Sequence, residues 1–296
     1  MFEKEIKIRE GVELSKIPAV FFLKGEEKRM GNFVKEEGAI SKCFLEVNGE
    51  PIFWTSFESL LSNGIKEFII TTLSMGKEIK EYFEEKFKNS KNIHIELIKG
   101  KTLKNKVDKG VRIFILENEK NSKGKTAKQL LELKEIIGNR PFLIIFGDEM
   151  YGKSEEVREE FKKFIKFALF SITQYDALIV QALVPKNIIL SNINPNALTF
   201  NIEEGNKLVP AKSDLYLVSL SLNSPKLLEL IEKASIDELY SQQFLRAILE
   251  YNGKIYGKVL NITYFANVNT PNDYFKLVSY TKEAIEKNKK DLVKIK

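Results

Sequence analysis

Lys42-Cys43-Phe44-Leu45-Glu46-Val47-Asn48-Gly49-Glu50-Pro51-Ile52 decides how this 296-residue chain is read, together with the loop just before it. That loop runs Phe22-Leu23-Lys24-Gly25-Glu26-Glu27-Lys28-Arg29-Met30-Gly31. It follows Ala19-Val20-Phe21-Phe22-Leu23, a short apolar run bounded by a Gly-containing turn, which predicts a buried strand. After Pro51, the residues Ile52, Phe53, Phe57, Leu60 and Leu61 share one face at helical spacing, predicting a helix over 51–63 that Gly64 ends. A strand, a glycine-containing loop and a helix in that order form the place where an α/β sheet puts phosphates. Gly25 and Gly31 leave room for the backbone to approach an anion, whereas Lys24, Glu26 and Glu27 put side chains in the loop. A carboxylate about 5 Å from a phosphate charge costs roughly 3 kcal/mol at an effective dielectric near 20, which Lys24 and Lys28 can offset.

Outward from this segment, strand and helix patterns alternate, which predicts a mostly parallel sheet covered by helices. Strands are expected over 67–72, 93–97, 111–116, 141–146, 177–184 and 215–222, and a hairpin over 198–209. Helices are expected over 77–88, 126–137, 154–171, 225–233, 235–251 and 272–290. The most apolar strand, Pro141-Phe142-Leu143-Ile144-Ile145-Phe146, runs into Gly147-Asp148, so Asp148 falls at the carboxyl edge of the sheet, where ligands of such folds bind. Neither internal repeats nor a low-complexity linker divide the chain. A single domain over 1–296 is therefore expected, with an extension over 1–16 and a C-terminal helix within 272–296.

Composition narrows the chemistry. Hydrophobic residues make up 43% and charged residues 30%, as in a folded globular protein. No apolar run reaches the length of a membrane span and the first ten residues lack a signal core, so a cytoplasmic protein is expected. The single cysteine, Cys43, excludes an internal disulfide and a cysteine-based zinc cluster. The only histidine, His94, lies in the alternating Asn92-Ile93-His94-Ile95-Glu96-Leu97 and reads as an outward strand residue rather than a base. The net charge of +6 comes from lysines spread among glutamates, which describes a solvated surface better than a nucleic-acid footprint. The same Lys/Glu richness with few glutamines is expected of a thermophilic source.

Three segments carry a resemblance. Arg29 and the string Ala39-Ile40-Ser41-Lys42, continued to Ile52, resemble the opening of the sugar nucleotidyltransferases, which has the form L-A-G-G-x-G-T-R-[LM] followed by K-P-L-L-P-V-G-G-K-P-I. Gly147-Asp148 matches that family's strand-terminal aspartate. Phe265-Ala266-Asn267-Val268-Asn269-Thr270-Pro271-Asn272-Asp273-Tyr274 resembles its late W-x-D-x-G-T-P-E-D-Y, and is also similar to the N-x-N-T-P of molybdopterin guanylyltransferases. Lys125-Thr126-Ala127-Lys128-Gln129-Leu130 looks like the family's G-T-A-[GH]-A-L, with Lys125 in place of the glycine.

The resemblance implies a Rossmann-like three-layer (GT-A-like) α/β nucleotidyltransferase fold with a mixed, mostly parallel central sheet. It implies that Arg29 and Lys42 are catalytic cations. Leu23, Gly25, Lys28, Thr126 and Ala127 would bind nucleotide, and Asp148 and Asn267 would hold Mg²⁺, with Glu149 outside its immediate ligands. Asn267 stands where the family has its second metal-binding aspartate, which removes one negative charge. The implied reaction joins a nucleoside monophosphate from a nucleoside triphosphate to a phosphorylated acceptor, a sugar 1-phosphate foremost, and releases pyrophosphate. A phosphate oxygen is already a nucleophile, so the scarcity of histidine and cysteine suits this chemistry. The competing expectation is a catalytically impaired relative that serves as a regulatory or partner subunit, assembled with copies of itself or with an active paralogue; Glu26, Glu27, Lys125 and Asn267 favour it. Nucleic-acid binding, resting on net charge alone, ranks behind both.

Overall fold

In the computed structural model, residues 13–23, 28–98, 110–118, 125–192 and 199–293 are described. The elements in chain order are β1 (Pro18–Phe22), α1 (Phe33–Glu36), β2 (Glu46–Val47), β3 (Glu50–Pro51), α2 (Trp54–Ser62), β4 (Glu67–Thr72), α3 (Gly76–Lys86), β5 (Ile93–Ile98) and β6 (Val111–Glu117). They continue with α4 (Thr126–Leu131), α5 (Lys134–Ile137), β7 (Phe142–Phe146), β8 (Glu149–Tyr151), α6 (Ser154–Tyr175), β9 (Ile179–Pro185), β10 (Phe200–Ile202), β11 (Leu208–Pro210) and β12 (Leu215–Asn223). The last are α7 (Lys226–Lys233), α8 (Gln242–Glu250), β13 (Ile255–Val259), β14 (Phe265–Asn267) and α9 (Pro271–Val293).

Eight strands form one sheet in the order β13-β9-β12-β7-β1-β4-β6-β5. All neighbours pair parallel except at β12, which runs antiparallel to both β7 and β9. The expected mixed, mostly parallel sheet is therefore present. Because β1 is buried on both faces, its continuous apolar run splits between two cores. Ala19 and Phe21 face one side with Phe53, Phe57, Phe83 and Phe161, where α2, α3 and α6 pack. Val20 and Phe22 face the other with Leu130, Ile136, Ile231 and Ile248, where α4, α5, α7 and α8 pack. The chain leaves β1 for β4 on one side and comes back to β7 on the other. That reversal opens a crevice at the carboxyl ends of β1 and β7, the usual ligand position in such sheets. No described helix is long and apolar enough to cross a membrane.

Some expected elements differ. The helix expected over 51–63 starts only at Trp54, because Glu50–Pro51 pairs with Glu46–Val47 in a two-strand turn. The helix expected over 126–137 is broken into α4 and α5 at Glu132–Leu133. The helix expected over 235–251 begins at Gln242, since Ser235 and Tyr240 both take positive φ and interrupt it. Left-handed backbone at a tyrosine carries no local sequence signal, unlike a glycine. The short strands β8, β13 and β14 went unpredicted, and two of them build the site.

Candidate functional site

Lys42 is carried by a single 3-10 turn, Lys42–Phe44, that hangs beneath the end of β1. Ser41 Oγ donates to the Leu23 carbonyl at 2.9 Å, which fastens the turn to the strand end. Beside it, Gly147 N donates to the Phe22 carbonyl at 3.0 Å. A β-carbon at Gly147 would lie 2.4 Å from Leu23 Cδ2 and 3.1 Å from Cys43 Sγ, so any larger residue there would have to displace these two buried side chains. This packing brings Lys42 Nζ onto Asp148 Oδ2 in an ion pair whose partners are each only 9% exposed. Burial pulls the ammonium down, but the Asp148 carboxylate and Cys43 together outweigh it and leave Lys42 above its ordinary pKa, charged at neutral pH.

A second ribbon completes the cluster. β14 pairs antiparallel with β8, setting Asn267 opposite Glu149. Asn269 lies two residues beyond Asn267, and its Oδ1 accepts from Arg29 Nη2 at 2.7 Å and from Lys42 Nζ at 3.1 Å. Its Nδ2 donates to Asn267 Oδ1. Thr270 and Asp273 form a reciprocal cap at the start of α9. Asp273 N donates to Thr270 Oγ1, while Asp273 Oδ2 accepts from the backbone N–H groups of Thr270 and Asn269 at 2.9 and 3.3 Å. The expected N-cap with Pro271 at the first helical position thus also fixes the Asn269 backbone.

Glu149, 4% exposed, occupies the floor of this ribbon. Its Oε2 accepts from Tyr151 OH, from Ser219 N at 2.8 Å and from Ser219 Oγ. Its Oε1 meets Asn267 Nδ2 at 3.5 Å. Burial pushes the carboxyl up to about 7 against the pull of the Ser219 and Tyr151 bonds, and nearby Asp148 adds to the rise. Ser219 is reachable because β12 shifts register against β9 between Leu217 and Ser221. Gln181 Nε2 donates to the freed carbonyls of Val218 and Leu220, and Leu220 N donates to Tyr151 OH.

Arg29, Lys42, Asp148 and Asn267 are thus brought together. Leu23 is fully buried and meets this region through its carbonyl. Lys28 begins the short 3-10 turn that carries Arg29, and Gly25, with Lys24, Glu26 and Glu27, lies outside the described residues. Thr126 and Ala127 stand apart from the cluster. Thr126 Oγ1 accepts from Leu239 N at 2.9 Å and Ala127 N donates to the Asp237 carbonyl at 3.0 Å, while Lys125 and Lys128 pair with the Asp237 carboxylate. His94 is exposed on β5, as its alternation predicts. The sequence reading assigns no role to Asn269 and sets Glu149 outside the immediate metal ligands. Asn269 was legible as the second asparagine of Asn-Val-Asn, and Glu149 as the residue following the strand-terminal aspartate; neither spacing reveals its partners 240 or 70 positions away.

Mg²⁺ prefers hard oxygen donors in octahedral geometry. Among the described residues no group of three or more His, Cys, Asp or Glu side chains is arranged to hold a metal ion. Asp148 and Asn267 nevertheless offer hard oxygens at one edge. Mg²⁺ commonly takes one or two protein carboxylates and fills its octahedron with waters and substrate phosphates. The residues present fit a cation that arrives with a phosphate ligand.

No protein-family model matches the chain. Over 128 residues it is 27% identical to a UTP–glucose-1-phosphate uridylyltransferase of Streptococcus pneumoniae, covering 42% of this chain and 41% of that protein. Over 130 residues it is 27% identical to a probable glucose-1-phosphate cytidylyltransferase of Bacillus subtilis, covering 44% and 49%. The chain thus spans less than half the length of these curated relatives. Solved structures extend the likeness to the fold of nearly the whole chain. An inositol-1-phosphate CTP transferase from T. maritima superposes with TM-score 0.62 at 16% identity, over 91% of this chain and 97% of that one. An apo UDP-glucose pyrophosphorylase does so with TM-score 0.64 at 15% identity, over 90% and 99%. The chain is thus similar in sequence, over less than half its length, to sugar-1-phosphate nucleotidyltransferases, and similar in fold over nearly all of it to the two solved transferase structures.

Proposed function

We propose that this protein transfers a nucleoside monophosphate from a nucleoside triphosphate to a sugar 1-phosphate, forming a nucleoside diphosphate sugar and pyrophosphate. The convergence of Lys42, Arg29, Asp148, Asn267 and Asn269 at the carboxyl edge of β1 and β7 carries this reading. An acceptor phosphate oxygen would attack the α-phosphorus in line, forming a P–O bond as the bond to the departing pyrophosphate breaks. Proton abstraction is not required, because the attacking oxygen is already anionic. Charge builds on the oxygens around the α-phosphorus and on the leaving group. Lys42, held beside Asp148, would meet the first, and Arg29 at the mouth of the cluster the second. Mg²⁺, bound through Asp148 and Asn267, would neutralise phosphate charge and orient the triphosphate. Leu23, Gly25 and Lys28 belong to the loop that would wrap the triphosphate, and the start of α4 with Thr126 and Ala127 would flank the base as a wall rather than as donors.

Calorimetric titration with each of the four nucleoside triphosphates plus Mg²⁺ tests the binding half of this reading. Pyrophosphate release with glucose 1-phosphate tests the chemistry, with UTP and CTP first because the sequence relatives carry those names. Heat with at least one nucleotide, and pyrophosphate only when acceptor is present, are expected. Absence of heat with all four would overturn the assignment.

A further inference from the structure

Glu149 poses a problem that its hydrogen bonds do not solve. The carboxylate is buried, and among the described residues no lysine or arginine pairs with it. Three donors converge on Oε2, from Tyr151 and from both the N–H and the hydroxyl of Ser219. Oε1 receives only the long 3.5 Å contact from Asn267 Nδ2. A buried carboxylate normally has a cation or a full set of donors on both oxygens. Here one oxygen is locked and the other faces only the Asn267 amide among the described residues.

The β8–β14 pairing explains the direction. Residues directly opposite in an antiparallel pair project from the same face, and Asn267 lies opposite Glu149. Asn267 is also the position where the resembled motif has an aspartate. The charge missing from β14 is therefore present on β8, across one rung of the ribbon. Contacts run without a break from Asp148 Oδ2 through Lys42, Asn269 and Asn267 to Glu149 Oε1. We propose that Glu149 Oε1 is a carboxylate ligand of the divalent cation at this site, replacing the charge that Asn267 lacks. The three donors on Oε2 orient the ligand, as outer partners commonly do around metal-binding carboxylates.

The inference rests on the nucleotidyltransferase reading for the presence of a cation, and it is tested without turnover. Mn²⁺ binding to the full chain is followed by the electron paramagnetic resonance of the free ion, alone and with pyrophosphate. Glu149→Gln keeps the acceptor for Ser219 and should weaken Mn²⁺ binding by about tenfold or more. Asn267→Asp in the parent chain should tighten it, and adding Asn267→Asp to Glu149→Gln should restore it to near the parent value. A parent chain that binds no Mn²⁺ under either condition overturns the proposal. So does a Glu149→Gln chain with unchanged Mn²⁺ affinity, the result expected if the carboxylate only braces β12. Should Glu149→Gln fail to fold, Asn267→Asp alone decides, since unchanged affinity there denies a shared site. Mn²⁺ binding through Glu149 without pyrophosphate release from any nucleotide would keep the inference and remove the catalytic reading. Pyrophosphate release with Mn²⁺ affinity indifferent to Glu149 would do the reverse.

Discussion

Lys42 and Arg29 share one neutral acceptor, Asn269 Oδ1, so one amide holds two cations together. An amide oxygen there does part of what a phosphate oxygen would do, without adding charge to the cluster. Replacing it removes two hydrogen bonds from charged donors, each worth roughly 1.5–3 kcal/mol in a dry setting and less at the exposed Arg29. Asn269→Gly restores the residue of the resembled motif and should leave the fold intact. It is expected to raise the KM for nucleoside triphosphate by about tenfold through lost preorganisation, with kcat changed far less. Steady-state pyrophosphate release measures both, and an unchanged KM would show that the amide is a bystander. Lys42 answers to a different test. Lys42→Arg keeps the charge but replaces a compact ammonium with a planar fork in a pocket shaped by Ser41 and Gly147. Its melting temperature should stay near that of the parent while kcat falls by about 100-fold or more. A loss confined to KM would assign Lys42 to ground-state binding instead.

At the scale of elements, the register shift in β12 is what lets a buried carboxylate sit under the site. Such a shift strands backbone groups, and five of them find side-chain partners here. Gln181 takes the carbonyls of Val218 and Leu220, Tyr240 OH donates to the Ser219 carbonyl, and Glu149 and Tyr151 take the N–H groups of Ser219 and Leu220. Gln181→Leu preserves volume but leaves two buried carbonyls without this donor, at a cost of about 2–3 kcal/mol in denaturant unfolding. A cost within error of zero would mean that water reaches the bulge. The cap on α9 couples differently, because Asp273 holds Thr270, Asn269 and, at 2.9 Å, the backbone N–H of Asn192. Asp273→Ala should cost about 1 kcal/mol as a lost cap. It should also raise the nucleotide KM in the same direction as Asn269→Gly, since both loosen Asn269. Stability loss with an unaltered KM would confine Asp273 to capping.

Across the whole molecule, what the sequence made legible follows from physical range. Continuous apolar runs such as 142–146 and 68–70 specify buried parallel strands locally, and the expected bounds of both strands agree with the structure to within a residue. The ribbons β8 and β14, three residues each, have no periodicity of their own and exist because they pair with one another. Asp148 and Lys42 could be read because each lies inside a local motif, whereas Asn269 and Glu149 gain meaning only from partners far along the chain. The same division separates the two ends of the sheet. At the amino ends of the strands, opposite the site, Glu67 is 3% exposed and pairs with Arg112 and Arg140. Arg140 also donates to the carbonyls of Ile136 and Ile137 at the end of α5 and to that of Lys16 ahead of β1. One carboxylate thereby ties β4 and β6 to the entry of β7 and β1, with no contact to the cluster around Lys42. Glu67→Gln should lower unfolding free energy by about 2 kcal/mol, below the roughly 3–5 kcal/mol of a fully buried pair, because both arginines retain access to water. Measured well below the melting transition, kcat and KM should stay at parent values. If they fall together with stability, the amino edge is mechanically coupled to the site, and the separation of a bracing edge from a reacting edge does not hold for this sheet.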